Sequence, residues 1–349
     1  MRRQPGRGRL ERRIRGAWGD PGSFLRGAAA LYGTAVDLRN GLWDSGVFVP
    51  WRAPVPVISV GGLSTGGSGK TPLTAALARD LADFGCSVAV VTPGQSDEIE
   101  LHRQLNPDIP VAGARWRVPV VEQAVRDGCG AVMLDSGFQH RRLHRDLDLV
   151  AIAAEHAVNR ERLPAGPYRE RFSALHRADA AIVIRRFASA ARSEALEHEL
   201  QSANGKLFVA RARLQPVGLR PANRAAEEVS VPRPAVAVAA IMWPEPFFRT
   251  LRSLGLSPRH RIALTDHARY EKRTVQNIAA AAGTDGVVCT RKDAVKLAPG
   301  LPERVPVWWL AEEVVWELGA ERLLAAVRRV AVPSFEADAL ARAARGRTA

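Results

Sequence analysis

Residues 61–72 read GGLSTGGSGKTP. Glycines at this density let backbone N–H groups turn inward around phosphate oxygens, and a helix starting at the far end adds partial positive charge. A lysine and a threonine at the close of such a loop can reach the β- and γ-phosphates of a nucleotide and a Mg²⁺ ion, respectively. Ser64, Thr65, Gly66, Gly67, Ser68, Gly69, Lys70 and Thr71 are therefore the candidate nucleotide-binding residues. The strict G-x-x-x-x-G-K-[ST] pattern would need glycine at position 64, where the chain has Ser64. A glycine-rich turn with a chance GKT is the alternative. The flanks favour a phosphate-binding P-loop, because the apolar run Val55–Val60 precedes it and a helical pattern follows.

A second group lies further on. Asp135 closes the apolar run Ala131–Asp135, about 65 residues beyond Lys70. An acid there can hold Mg²⁺ together with Thr71, directly or through water; it can also cap the following turn. Next come Ser136, Gly137, Phe138, Gln139, His140, Arg141 and Arg142. Ligands of open α/β sheets bind beyond the carboxyl ends of strands, so Gln139, His140 and Arg141 are candidate substrate contacts. A basic cluster after a strand can equally be a solvated turn.

These groups need a scaffold. The 349 residues suffice for two domains, and 46% hydrophobic content suits a folded protein. Apolar segments at Ser87–Thr92, Ala131–Asp135, Leu147–Ala153 and Ala180–Ile184 alternate with helical stretches, which predicts a parallel sheet with helices on both faces. A second series follows at Leu207–Leu214, Ala235–Ile241, Arg261–Leu264, Gly286–Cys289 and Val305–Leu310, then a helix at Glu321–Val330 and an Ala/Arg-rich tail. The fold class expected is α/β: a P-loop NTPase-like parallel sheet with a second, smaller α/β domain. The division falls at 1–214 and 215–349, with Pro216–Pro234 as candidate linker.

The net charge of +14 calls for an anionic partner. No zinc-finger spacing, aromatic-rich RNA motif or heptad run supports nucleic acid. Cys86, Cys129 and Cys289 form no C-x-x-C pair, which argues against a disulfide framework or zinc site and for a reducing compartment. No apolar run approaches the ~20 residues of a membrane span. Residues 1–20 read as a basic, loose arm without the apolar core of a secretory signal. From Phe24 to Leu38, apolar residues recur at helical spacing among arginines, and Trp43 and Trp51 follow. Such a helix can lie in a membrane interface or pack as an ordinary element of the first domain.

Four blocks, VGGLSTGGSGKTP, LDSGFQHRRLHRDLDLV, LPAGPYRE and TRKDAVKL, resemble in kind and order the signature segments of the tetraacyldisaccharide 4′-kinases, the lipid A 4′-kinases of Gram-negative bacteria. The resemblance covers roughly residues 25–325. It implies transfer of the γ-phosphate of ATP, with Mg²⁺, to the 4′-hydroxyl of a tetraacylated glucosamine disaccharide phosphate. It also implies an N-terminal helix meeting the cytoplasmic face of the inner membrane peripherally, against anionic lipid. By the same resemblance Asp97, in Ser96-Asp97-Glu98, matches the acid that activates the hydroxyl, and His267, in Asp266-His267, matches its partner. Asp97, His267 and Asp135 are thus the candidate catalytic residues. A carboxylate within hydrogen-bond reach of a sugar hydroxyl can accept its proton, and an imidazole can tune it.

The chain departs from that pattern in four places. Gly62 stands where the family has asparagine, and Ser136 replaces the second of two adjacent acids. The segment before Asp97 is some twenty residues short, and Ala268 follows Asp266-His267. A divergent P-loop kinase or NTPase for another small substrate, or a weakly active nucleotide-binding paralogue, is the alternative these departures leave open.

Overall fold

The computed structural model describes residues 17–155 and 160–332. The basic arm over residues 1–16, Arg15 included, and the tail beyond 332 lie outside the described residues. The first half contains α1 (Ser23–Asp44), β1 (Val57–Gly61), α2 (Lys70–Asp83), β2 (Val88–Thr92), α3 (Ser96–Leu105), β3 (Val111–Gly113), α4 (Val118–Arg126), β4 (Ala131–Asp135), β5 (Leu147–Ala153), β6 (Ala180–Arg185) and α5 (Ala190–Ala203). The second contains β7 (Phe208–Pro221), α6 (Arg224–Glu227), β8 (Val236–Ala239), α7 (Pro244–Ser253), β9 (His260–Ala263), α8 (Lys272–Ala282), β10 (Val287–Thr290), α9 (Arg291–Leu297), β11 (Val307–Leu318) and α10 (Ala320–Ala331).

All eleven strands join one sheet in the order β3-β2-β4-β1-β5-β6-β7-β11-β10-β8-β9. Strands β1, β2, β4 and β5 are buried along their whole length, as continuous Val/Ile/Leu/Ala runs require when helices cover both faces. Leu73, Leu77 and Leu81 of α2 and Leu323 and Val327 of α10 cover one face of the first half. The last helix therefore returns from the second series to the first core, where Arg328 pairs with Asp80. A separate core around Val236, Val238, Ile278, Val287 and Leu297 serves the second half.

Every pairing is parallel except β7 with β11. That ribbon is where the structure differs from the expected linker: Pro216–Pro221 belongs to β7 rather than to a loop. Prolines are tolerated there because β7 has left β6 behind, so one edge of its outer half has no ladder to complete. The register sets the relation of the two halves. β6 pairs with Phe208–Arg213 of β7, whereas β10 pairs with Val307–Leu310 of β11, which lie opposite Leu219–Pro221 of β7. Six residue steps part Arg213 from Leu219, so at ~3.3 Å per residue a gap of roughly 20 Å separates the two half-sheets along the ribbon. Because β11 runs against β7, the carboxyl ends of the second series point back toward those of the first.

Candidate active site

Between these facing strand ends lies a cleft of about 500 Å³. Gly66, Gly67, Ser68, Gly69, Lys70 and Thr71 line it from below. Gly66, Gly67 and Gly69 have φ of +57°, +71° and +77°, a region that favours glycine, and Gly69 leads directly into α2. Ser64 and Thr65 are used otherwise. Ser64 bridges Tyr168, and Thr65 bonds the Pro167 carbonyl through both its N–H (2.9 Å) and its hydroxyl (3.2 Å), so the LPAGPYRE block buttresses the loop. The glycine at 62 has a local reason: a Cβ there would lie 3.1 Å from Ser68 Oγ and 3.3 Å from Lys70 Cδ. Its absence leaves the lysine stem room to cross the loop, where Lys70 Nζ donates to Ser68 Oγ at 3.0 Å. Burial and the nearby Arg169 hold the Lys70 ammonium down at about 8, against the pull of Asp135, Glu98 and Asp266.

Asp135 ends β4 fully buried, behind the cleft wall. Its Oδ2 meets His102 Nε2 at 2.9 Å and its Oδ1 accepts from Ser136 Oγ at 3.0 Å. Burial raises its pKa, but the His102 bond, the Thr71 hydroxyl and Lys70 outweigh it and bring it down to about 2. His102 lies on α3, and no motif signalled it. Thr71 and Asp135 form a hard oxygen donor set, which suits Mg²⁺. Among the described residues no group of three or more His, Cys, Asp or Glu could hold a metal alone. A cation here would complete its shell with phosphate oxygens and water.

Gln139 donates from Nε2 to Gly62 O and to Glu170 Oε1, both at 3.0 Å, and lines the cleft. His140 also faces it; burial, then Arg117, Arg145 and Arg142, push its pKa down to about 4. Arg141 points elsewhere: its guanidinium donates to Asn40 O (3.1 Å) and Asp44 Oδ1 (2.6 Å), pinning the end of α1. Asn40 itself donates to Glu170 Oε2 at 2.6 Å, so the N-terminal helix is tied to residues of the site. Its outer side leaves Phe24, Leu31 and Leu38 exposed. Among the described residues no helix is long and apolar enough to cross a membrane.

Asp97 and His267 come together across the halves. Asp97 starts α3 and is 5% exposed; His267, at φ +54°, follows β9 and places Nδ1 at 2.9 Å from Asp97 Oδ2. Lys296 Nζ donates to the same oxygen at 3.1 Å, and Lys292 Nζ stands 3.9 Å away. Burial works against the charge, but the His267 bond and the two lysines hold Asp97 well below the usual carboxylate range. His267 lines the cleft and Asp97 does not. Both lysines project from α9, whose start is fixed by Thr290 and Asp293: Thr290 Oγ1 accepts from Asp293 N at 3.2 Å, and Asp293 Oδ2 accepts from Thr290 Oγ1 (2.7 Å) and Ala240 N (2.9 Å). The lysines stand four apart in TRKDAVKL, on one helix face, a signal the motif contained without saying what it would meet. Glu98, Asp266, Arg169 and Met242 also line the cleft.

Known proteins resemble this chain along most of its length. The family model for tetraacyldisaccharide-1-P 4′-kinase matches residues 22–104 and 96–330, two segments that overlap around Asp97. The chain is 33% identical over 340 residues to the tetraacyldisaccharide 4′-kinase of Halorhodospira halophila, spanning 90% of this chain and 95% of that one. It is 32% identical over 310 residues to that of Chlorobium phaeovibrioides, spanning 78% and 86%. The solved structure of LpxK from Aquifex aeolicus in complex with ATP superposes with a TM-score of 0.66 at 25% identity, covering 86% of this chain and 96% of that one.

Proposed function

Because the chain belongs to the tetraacyldisaccharide 4′-kinase family, we propose that it transfers the γ-phosphoryl group of ATP to the 4′-hydroxyl of a tetraacylated disaccharide 1-phosphate in the cleft between its half-sheets. The observation that carries this reading is the meeting on one cleft of the P-loop from the first half and His267 from the second, with Asp97 bonded to the imidazole from behind. Lys70 and the loop N–H groups hold the β- and γ-phosphates. Thr71 and Asp135 would hold Mg²⁺, with His102 orienting the carboxylate. Bound there, the metal would neutralise charge on the phosphoryl oxygens. Gln139 and His140 contact the substrate headgroup, whereas Arg141 serves by fixing α1.

Asp97 and His267 handle the hydroxyl proton as a unit. Asp97 is stabilised as an anion by three partners and sits one layer back, so the imidazole is the member that meets the hydroxyl. A carboxylate held so far down is a weak base, and its contribution is to orient the ring and stabilise it when protonated. The lobes divide near residue 214, within the β7–β11 ribbon on which they close and exclude water, and α10 returns to the first lobe. The exposed stripe Phe24, Leu31 and Leu38, spaced by seven residues, seats α1 in the cytoplasmic leaflet of the inner membrane while Asp37, Asn40 and Asp44 hold it to the enzyme.

The test is an assay with labelled ATP, Mg²⁺ and tetraacyldisaccharide 1-phosphate in detergent micelles. Label should appear on the disaccharide with the wild type and not with Lys70→Ala. ATP turnover that ignores the disaccharide would refute the substrate and leave a different P-loop NTPase.

A further inference from the structure

Lys292 occupies the space between the two halves of the machinery. Its Nζ lies 3.0 Å from His267 Nε2, 3.3 Å from Asp266 Oδ1 and 3.9 Å from Asp97 Oδ2, and it lines the same cleft as Lys70. An ammonium has three donors and no acceptor, so in this contact the ring nitrogen accepts. The ring proton then sits on Nδ1 and goes to Asp97. Nδ1 is turned to Asp97, so Nε2 is the nitrogen left for the cleft; with its lone pair engaged by Lys292, and the Gln95 side-chain amide 3.2 Å away, it cannot accept a hydroxyl proton. Asp266, the other partner of Lys292, abuts the phosphate loop: a Cβ at Gly66 would lie 3.7 Å from Asp266 Oδ2. The ammonium therefore stands at the edge of the phosphate site, on a flexible four-carbon stem. Lys296, one turn further along α9, is tied to Asp97 Oδ2 and to Ala268 O at 3.2 Å, and does not line the cleft.

Resting on the reading above, we propose that Lys292 is a catalytic cation of the second half, which swings from His267 Nε2 to the γ-phosphoryl oxygens when ATP enters and so frees the imidazole to act. Phosphate oxygens are stronger partners for an ammonium than a neutral ring nitrogen. In the step that follows, the 4′-hydroxyl O–H bond breaks and its proton passes to Nε2. The oxygen bonds to Pγ, the bond from Pγ to the bridging oxygen breaks, and the electron pair leaves on ADP. The imidazolium rests against Asp97 until it gives the proton up to water. One lysine thus couples the arrival of the phosphoryl donor to the availability of the base, which restrains proton transfer in its absence.

The experiment compares Lys292→Met, Lys292→Arg and Lys296→Met with the wild type, measuring ATP and ADP dissociation constants with Mg²⁺ and kcat on the disaccharide. Lys292→Met should weaken ATP by at least about tenfold more than ADP and lower kcat by about 10²–10³, the scale of one charge-stabilising donor. Lys292→Arg should recover part of the ATP preference. Lys296→Met should leave the ATP-to-ADP ratio at the wild-type value, since that lysine is held by Asp97 and Ala268 O and does not line the cleft. A folded Lys292→Met with the wild-type ratio, or with kcat within about threefold of the wild type, would overturn the proposal. If Lys292→Met does not fold, Lys292→Gln takes its place in the same comparison. Failure of the wild type to label the disaccharide would refute the substrate reading instead, and the nucleotide ratio would still decide the role of Lys292.

Discussion

Replacing Gly66 by alanine tests whether closure of the halves over the P-loop is part of the chemistry. Two costs arise at once. The residue sits at φ +57°, where a Cβ costs roughly 1–2 kcal/mol. The new methyl would also stand 3.0 Å from Met242 Cγ, and closer still to Met242 Cβ, on the opposite side of the cleft. Ordinary carbon–carbon contact is about 3.5–4.0 Å, so relieving the Met242 Cβ contact makes the halves part by roughly 1–1.5 Å. Met242 cannot relieve this by rotating, because its Cβ is fixed by the backbone. A misplacement on the order of 1 Å costs about 10²-fold in rate. Gly66→Ala should therefore lower kcat by about 10²–10³ and destabilise the protein by roughly the backbone term alone. Met242→Gly removes the obstructing atoms, so the double variant should regain at least about tenfold of the lost kcat while keeping the stability loss. Labelled-phosphate kinetics on the four proteins of this cycle, with thermal unfolding of each, separate the two costs. Wild-type kcat in Gly66→Ala, or fully multiplicative losses in the double variant, would refute the link between closure and transfer.

Three further outcomes follow from the same geometry. Asp97→Asn and His267→Ala should each lower kcat by about 10²–10⁴, and the double variant should be little worse than the poorer single one, because the pair acts as a unit; multiplicative losses would dissolve it. His140 is held neutral down to about pH 4, whereas in the unfolded chain it takes a proton near 6.5. The unfolded state then binds more protons below 6.5, so this group costs stability as pH falls from about 6.5 to 4. The unfolding midpoint of the wild type should drop more over that window than that of His140→Gln, and parallel drops would remove His140 from the acid response. Replacing Phe24, Leu31 and Leu38 together by serine should release the protein from anionic liposomes and raise KM for the lipid more than for ATP. These side chains are exposed, so the contacts from Asp37, Asn40 and Asp44 survive, which deletion of residues 1–40 would not allow. Unchanged flotation with the liposomes would leave α1 as a packed element only.

Much of this protein is legible in one dimension because its signals are local. The P-loop announces itself through glycines that must adopt φ near +60° to +80°, and β1, β2, β4 and β5 through unbroken apolar runs that only a doubly covered sheet tolerates. The Asp97–His267 pair was named by resemblance to a family, not by spacing, since 170 residues separate the two. Tertiary structure decided what depends on register and direction. The antiparallel β7–β11 ribbon turns the second set of strand ends onto the first, and no single strand encodes that reversal. It brings Lys292 and Lys296 to Asp97, His102 reaches Asp135 from the α3 face, and Arg141 turns toward α1 instead of the cleft. The physical reason is range. Backbone conformation and burial periodicity are set by neighbours in the chain. The partner of a charge is set by which distant element the folded sheet happens to place opposite it.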